Sequence, residues 1–284
     1  MIGPGSVVAQ AYRVERKVGR GAMGTVFEAT VIATGERVAL KIPHECFLAD
    51  RSALKRFMRE ATATLTIRSP FVIRTMAVGK LPTGMPFLAM EFVDGPSLAE
   101  LMDRYAGAPM PLPLAMRLLL QLAEGLSAAH EAGVIHRDLK PGNVLVASPG
   151  GGAVARIFDF GLSVLAFDVA GRLTLSGTTF GTPQYMAPEQ IRAAKHAGVQ
   201  SDVYALGVMA YEMLAARWPF SGPTALDIWH AATHFDAIPL SKHRPDLPSG
   251  LCGVVMRAMA RETGARFESA EDLRCALAPF AGGD

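Results

Sequence analysis

The segment HRDLKPGN, residues 136–143, carries an aspartate, a lysine two residues on and an asparagine five residues on within one short stretch. Asp138 is a base-like carboxylate, Lys140 a cation able to neutralise an anionic group in transfer, and Asn143 a neutral metal ligand. Farther along, Asp159-Phe160-Gly161 supplies a second carboxylate. It suits Mg2+, a hard cation that takes oxygen ligands and keeps phosphate oxygens in its shell. Ala187-Pro188-Glu189 ends the segment that follows. Each of these short strings arises often by chance; the ordered set at these spacings does not.

Two further signals lie upstream. GRGAMGTV has glycines at 19, 21 and 24, and a residue without Cβ lets backbone N–H groups come close to phosphate oxygens. The same spacing opens dinucleotide folds, where a helix follows. Here Thr25-Val26-Phe27 follows and reads as a strand, which disfavours a dinucleotide-dependent oxidoreductase and leaves an ordinary glycine hairpin as the plain alternative. Val38-Ala39-Leu40-Lys41 ends in a lysine within an apolar strand. A buried ammonium costs desolvation unless an anion pairs with it. Glu60 is one candidate partner and nucleotide phosphates are the other.

These groups need elements to hold them. Strand-length runs bounded by Gly, Pro or Asp are expected at Tyr12–Gly19, Thr25–Thr30, Arg37–Pro43 and Phe87–Phe92. Residues 51–68 place Leu54, Phe57, Met58, Ala61 and Leu65 at helical spacing, which predicts an amphipathic helix carrying Glu60. From Leu98 the pattern turns helical, with long helices over Leu114–Ala132, ended by Gly133, and over Gln200–Ala216. The second is apolar nearly all round and belongs inside its lobe. Ala270–Phe280 closes the chain. The change falls at Val93-Asp94-Gly95, and a cleft at that hinge is the place for a ligand. The 284 residues exceed one usual hydrophobic core, so two lobes are expected.

Composition narrows the function. A net charge of +2 without a long Lys/Arg run argues against nucleic acid as a partner. Half the residues are hydrophobic and 19% charged, as in a folded globular protein. Cys46, Cys252 and Cys275 support neither a disulfide framework nor a zinc site, so a cytoplasmic setting fits. His44, His130, His196, His230, His234 and His243 have no metal-like spacing. No apolar stretch reaches the roughly 18–20 residues that span a bilayer. No membrane contact is expected from the chain itself, although a longer, membrane-anchored parent is compatible with this.

Taken together, the glycine loop, VALK, HRDLKPGN, DFG and APE resemble the protein kinase family from about Tyr12 to Phe280. Lys140, and GTPQYMAPE with Thr182, resemble serine/threonine rather than tyrosine kinases. GAMGTVFEA with HRDLKPGNVL is most similar to bacterial kinases of eukaryotic type. The resemblance implies an α+β, two-lobed fold: a β-rich N-lobe with one helix over about 12–92, a hinge at about 91–95, and a mainly helical C-lobe over about 96–280. It implies ATP with Mg2+, or Mn2+ in its place, and protein substrates, since the docking segment from Gly181 to Glu189 is intact.

Site roles follow from the same resemblance. Gly19, Gly21 and Gly24 cover the nucleotide. Lys41 holds the α- and β-phosphates while paired with Glu60. Met90 is the gatekeeper, Glu91 and Val93 offer backbone groups to adenine, and Val26, Ala39 and Leu145 sandwich the ring. Asp138 accepts the substrate proton, Lys140 neutralises the γ-phosphate, and Asn143 and Asp159 bind the metal. Arg137 pairs with an activation loop autophosphorylated among Thr174, Ser176, Thr178 and Thr179. Asp202 holds the catalytic loop and Arg266 pairs with Glu189. Thr64 departs from the Leu or Met common at its position, which implies looser packing of its helix against Phe160. A homodimer through the N-lobe is a further implication. The competing readings are an inactive kinase-fold scaffold, which usually lacks one of the residues present here, and a small-molecule kinase, which tends to lack APE.

Overall fold

Short β-rich runs separated by tight turns build a six-stranded antiparallel sheet from the first third of the chain. The computed structural model describes residues 2–21, 24–44, 51–160, 183–193 and 196–282. In chain order the strands are β1 (Val7–Val8), β2 (Tyr12–Arg20), β3 (Gly24–Val31), β4 (Arg37–Pro43), β5 (Thr75–Lys80) and β6 (Pro86–Glu91), arranged β1-β2-β3-β4-β6-β5. The sheet therefore begins before Tyr12. Helix α1 (Arg51–Thr64) crosses between β4 and β5.

Strand alternation sorts the side chains onto two faces. Val14, Phe27, Ala29, Val38, Leu40, Ile42, Phe87 and Ala89 form a core on one side. The other side carries Val26, Lys41 and Leu88 in one cross-strand row and Ala39 opposite Met90 in the next. Phe57 and Ala61 of α1 pack there, with Leu88 and Met90. Strand β5 fits because Gly79 lacks a Cβ: one added there would stand 2.5 Å from the Phe87 ring.

Behind β6 the chain crosses to the C-lobe through a braced hinge. Arg37 holds Asp94 with both terminal nitrogens, at 2.9 and 3.2 Å, donates to Glu28 at 2.8 Å, and lies 4.4 Å above the Phe92 ring. Gly95 passes so close to β7 (Val144–Ala147) that a Cβ would sit 2.3 Å from the Val146 carbonyl oxygen. Ser97 then caps α2 (Leu98–Asp103) through a reciprocal pair with Glu100.

The C-lobe core is built on α3 (Leu112–Glu131) and α5 (Val199–Ala215), with α4 (Pro188–Arg192), α6 (Ala225–His234), α7 (Leu240–His243), α8 (Ser249–Ala258) and α9 (Ala270–Leu277) around them. Strand β8 (Val154–Ile157) pairs with β7 into a small hairpin. Helix α5 is buried on every side, as its composition requires. Among the described residues no helix is long and apolar enough to cross a membrane.

One ion pair ties this lobe together. The Arg266 side chain is 0% exposed and uses all five N–H donors: two on Glu189, at 2.8 Å each, and the rest on the carbonyls of Ala260, Gln200 and Arg261. Burial alone would raise the Glu189 pKa, but the Arg266 and Ser201 hydrogen bonds outweigh it and hold the carboxyl below its usual range. Stability from Glu189 is therefore present above the ordinary carboxylate range and is lost as pH falls through its lowered folded value. Arg266→Ala strands a buried carboxylate and should cost about 3–5 kcal/mol in urea denaturation at neutral pH. In Glu189→Gln the acid-side loss of stability should shrink.

Candidate active site

The site is assembled around Asp202, which α5 presents in the C-lobe interior at 1% exposure. Its Oδ2 accepts from the His136 backbone N–H and from His130 Nε2, and its Oδ1 accepts from the Arg137 N–H, each at 2.8 Å. Arg137 has φ of +66°, an uncommon conformation for a side chain of its size. Asp202 holds its N–H, and Gln190, at the start of α4, donates to its carbonyl at 2.9 Å. The strained residue is thus pinned on both sides.

The rest of the loop follows from that anchor. His136 Nδ1 accepts from the Asp138 N–H, so Nε2 is the protonated nitrogen that donates to the Phe158 carbonyl at 2.9 Å. Its ring lies 4.7 Å from that of Phe160. Lys140 Nζ reaches Asp138 Oδ2 at 2.7 Å, and Asn143 Nδ2 binds the Asp138 carbonyl at 2.7 Å and Oδ2 at 3.2 Å. Oδ1 of Asp138 receives no hydrogen bond among the described residues. The loop therefore presents an oriented carboxylate with one oxygen open, as general-base chemistry requires.

Across the cleft the ion pairs differ from the expected set. Lys41, only 5% exposed on β4, pairs with Asp159 Oδ2 at 2.7 Å. Glu60 on α1 pairs instead with Arg137 Nη1 at 3.2 Å. The expected Lys41–Glu60 pair is thus replaced by two others, each of which joins the N-lobe to the C-lobe. Among the described residues both carboxylates keep one buried oxygen without a partner, Oε2 of Glu60 and Oδ1 of Asp159. Burial raises the Glu60 pKa, against the pull of Arg137, Arg59 and Arg56. Asp159 itself has φ of +67°.

The nucleotide-pocket residues come together as a surface. Met90, Ala39, Val93 and Leu145 belong to one apolar cluster, and Val26 stands opposite both Gly19 and Lys41. Glu91 forms an ion pair with Arg156 of β8 and accepts from the Arg74 N–H at 2.9 Å. The glycines differ in kind: a Cβ at Gly24 would stand 2.4 Å from the Ile42 carbonyl oxygen, whereas Gly19 and Gly21 face open space. Gly24 therefore serves strand packing, and Gly19 and Gly21 leave room for a ligand. The unpartnered Asp159 Oδ1 and the Asn143 amide, its nitrogen already committed to Asp138, offer the oxygen donors that Mg2+ takes alongside phosphate. Thr174, Ser176, Thr178, Thr179, Gly161, Gly181 and Thr182 lie outside the described residues.

Comparison with known proteins places the chain in a family. The protein kinase domain model matches residues 12–266. The chain belongs to the protein kinase family. Relatives include the serine/threonine-protein kinase pkn2 of Myxococcus xanthus, 38% identical over 98% of this chain and 33% of its own. Serine/threonine-protein kinase PknA of Corynebacterium glutamicum is 33% identical over 95% of this chain and 56% of its own. The chain thus spans about a third to just over half the length of these curated relatives. The crystal structure of the Mycobacterium tuberculosis PknI kinase domain shares the fold with a TM-score of 0.77 and 26% identity, over 99% of this chain and 100% of that one. The resemblance to bacterial kinases of eukaryotic type and the two-lobed α+β fold are both supported.

Sequence reasoning missed several supports of this kinase site. Gln190, Arg156 and the Arg37–Asp94 clamp carry no local signature; Gln190 could have drawn notice only by directly following Ala-Pro-Glu. Thr64, expected to loosen its helix, instead makes a specific contact. Its hydroxyl donates to the Ala61 carbonyl at 2.7 Å, so the Thr75 hydroxyl, 2.8 Å away, donates to it. The pair sits in the seam between α1 and β5, beside Phe160, around a void of about 10 Å³, room for no more than a water. Thr64→Val should cost about 1–3 kcal/mol, because the buried Thr75 hydroxyl loses its acceptor, while the double variant Thr64→Val/Thr75→Val should recover most of that loss. A thermal-denaturation double-mutant cycle checks both values.

Proposed function

We propose that this chain is an ATP-dependent protein serine/threonine kinase that transfers the γ-phosphoryl group to Ser and Thr hydroxyls of proteins. The observation that carries the reading is Asp138. Its Oδ2 is held by Lys140 and Asn143 and its Oδ1 is open, on a loop anchored to α5. The nucleotide, with Mg2+ or Mn2+, brings the transferable group and its leaving group. Asp138 orients the attacking hydroxyl and accepts its proton. Lys140 offsets charge on the moving phosphoryl, Asn143 and Asp159 hold the metal, and Lys41 meets the phosphates. Gly19, Gly21, Val26, Ala39, Met90, Glu91, Val93 and Leu145 seat the nucleotide. Little covalent work falls to the protein, so alignment and charge supply the catalysis.

Turnover on this reading exchanges the ion pairs. Lys41 leaves Asp159 for the phosphates and for the buried, open Oε2 of Glu60, and Asp159 is released to the metal. Arg137, freed from Glu60, becomes the counter-charge for a phosphorylated activation loop. Autophosphorylation at Thr174, Ser176, Thr178 or Thr179 then stabilises the exchanged state. The catalytic domain spans 12–280 on this reading, with the hinge at 91–95, and works where cytoplasmic ATP reaches it. A second copy through the N-lobe is the further partner, on the side where Val7 and Ile32 are exposed.

Phosphate incorporation from labelled ATP with Mg2+ tests the reading directly. Asp138→Asn should lower it about 10²–10⁴-fold with nucleotide still bound; wild-type protein that binds nucleotide yet transfers nothing would leave an inactive scaffold. Replacing Thr174, Ser176, Thr178 and Thr179 together by Ala should reduce transfer to an exogenous protein. Unchanged transfer would remove the loop switch while leaving the kinase reading intact.

A further inference from the structure

The tip of the glycine loop is joined to the exit of β4 by a side chain that none of the roles above uses. His44, the residue after β4, brings its ring Nε2 to 2.9 Å from the Gly21 carbonyl oxygen. A carbonyl only accepts, so Nε2 carries the proton and donates. The Gly21 N–H is engaged as well, donating to the Gly24 carbonyl at 2.9 Å. Both backbone polar groups of Gly21 are thereby fixed, one from within the loop and one from outside it.

The sheet is what brings His44 to this place. Strands β2 and β3 pair as far as Arg20 opposite Thr25, and β3 begins at Gly24 opposite Pro43, so the loop tip and the exit of β4 lie at the same end of the sheet. The close approach of Gly24 to the Ile42 carbonyl draws the two strands together there. Lys41 stands three residues before His44. The ammonium that meets the phosphates and the ring that holds the loop thus share one short stretch of backbone.

The tie matters because of what a glycine loop costs to order. A Cβ at Gly19 or Gly21 would meet nothing within 4 Å, so side-chain packing does not set the position of the loop at these residues. Glycine loses more conformational freedom on ordering than any other residue, and a ligand that must itself order such a segment loses affinity by that entropy. A hydrogen bond from the half-buried His44 ring to Gly21 meets part of this cost before any ligand arrives.

We propose that His44 is a positioning residue for the nucleotide: acting through the Gly21 carbonyl, it holds the glycine loop in place ahead of binding and so sets the affinity for ATP and ADP and the rate at which ADP leaves. The inference rests on the kinase reading and adds to it a residue that the family signature does not include. His44 acts through Gly21 and takes no part in the transfer itself.

Isothermal titration with MgADP and with a non-hydrolysable MgATP analogue, alongside release of a fluorescent ADP analogue, tests this on the wild type, His44→Ala, His44→Leu and His44→Gln. Alanine and leucine remove the donor and should weaken nucleotide binding about 2–10-fold, the loss of one neutral hydrogen bond, with release faster in proportion. Glutamine sets an amide N–H where Nε2 stands and should restore most of the affinity, while all four proteins keep the same thermal midpoint. In turnover the change should fall on KM for ATP rather than on kcat, with KM for the protein substrate unmoved. Equal affinity in all four proteins would overturn the latch, and so would tighter binding by the alanine variant, since the contact would then have to break for nucleotide to enter. A loss that glutamine does not restore would overturn it too, because the bulk of the ring and not its N–H would be responsible. The titrations need no transfer: wild-type protein that holds nucleotide and phosphorylates nothing would sink the kinase reading and leave His44 to be judged on affinity.

Discussion

A single buried carboxylate organises the catalytic half of this molecule. Asp202 could not stay charged in the C-lobe interior without a full set of donors, and the donors it collects are the backbone N–H groups of His136 and Arg137 and the His130 ring. The catalytic loop is therefore shaped by the needs of an anion on the most buried helix. Apolar residues on every side of α5 deprive that anion of water, and its demand for donors fixes the backbone at His136 and Arg137. The left-handed backbone at Arg137 is one result of this constraint.

Two kinds of buried charge can be told apart by how completely they are satisfied. Arg266 and Glu189 are structural: every guanidinium N–H has an acceptor, and the carboxylate also receives Ser201. Glu60 and Asp159 each keep a buried oxygen without a partner among the described residues. An unmade bond of that sort is destabilising, and the two examples belong to the two ion pairs that cross between the lobes. The PknI-like fold accommodates this because Lys41 stands on the sheet, Glu60 on a helix packed against it, and Arg137 and Asp159 on the other lobe.

Much of this was legible in the residues. Strand β4 runs over the residues its composition indicated, Arg37–Pro43, since β-branched and apolar residues there are bounded by clear breakers. Helix α3 and the buried helix α5 follow from pattern, and the Asp202 and Arg266 contacts from the resemblance to protein kinases. Strands β1 and β5 were not visible: two valines are too few for a signal, and Met76-Ala77-Val78-Gly79 has weak strand propensity that only the Phe87 ring explains. The partner of Lys41 was not legible either. Motifs name the charges at a site, but choosing between two pairings of two cations and two anions depends on where a helix settles. The Thr64–Thr75 bond escaped for a related reason, since the acceptor of one hydroxyl and the donor of the other lie on different elements.

Strand β4 contributes both Arg37, clamped to Asp94 and Phe92, and Lys41, joined to Asp159. The first contact is at the hinge and the second across the cleft, four residues and about 13 Å along the strand. They tie the strand at both ends, and unequally: the Arg37–Asp94 pair faces solvent, which screens it, whereas the Lys41–Asp159 pair is largely buried, so the bond across the cleft is the stronger of the two ties on this strand.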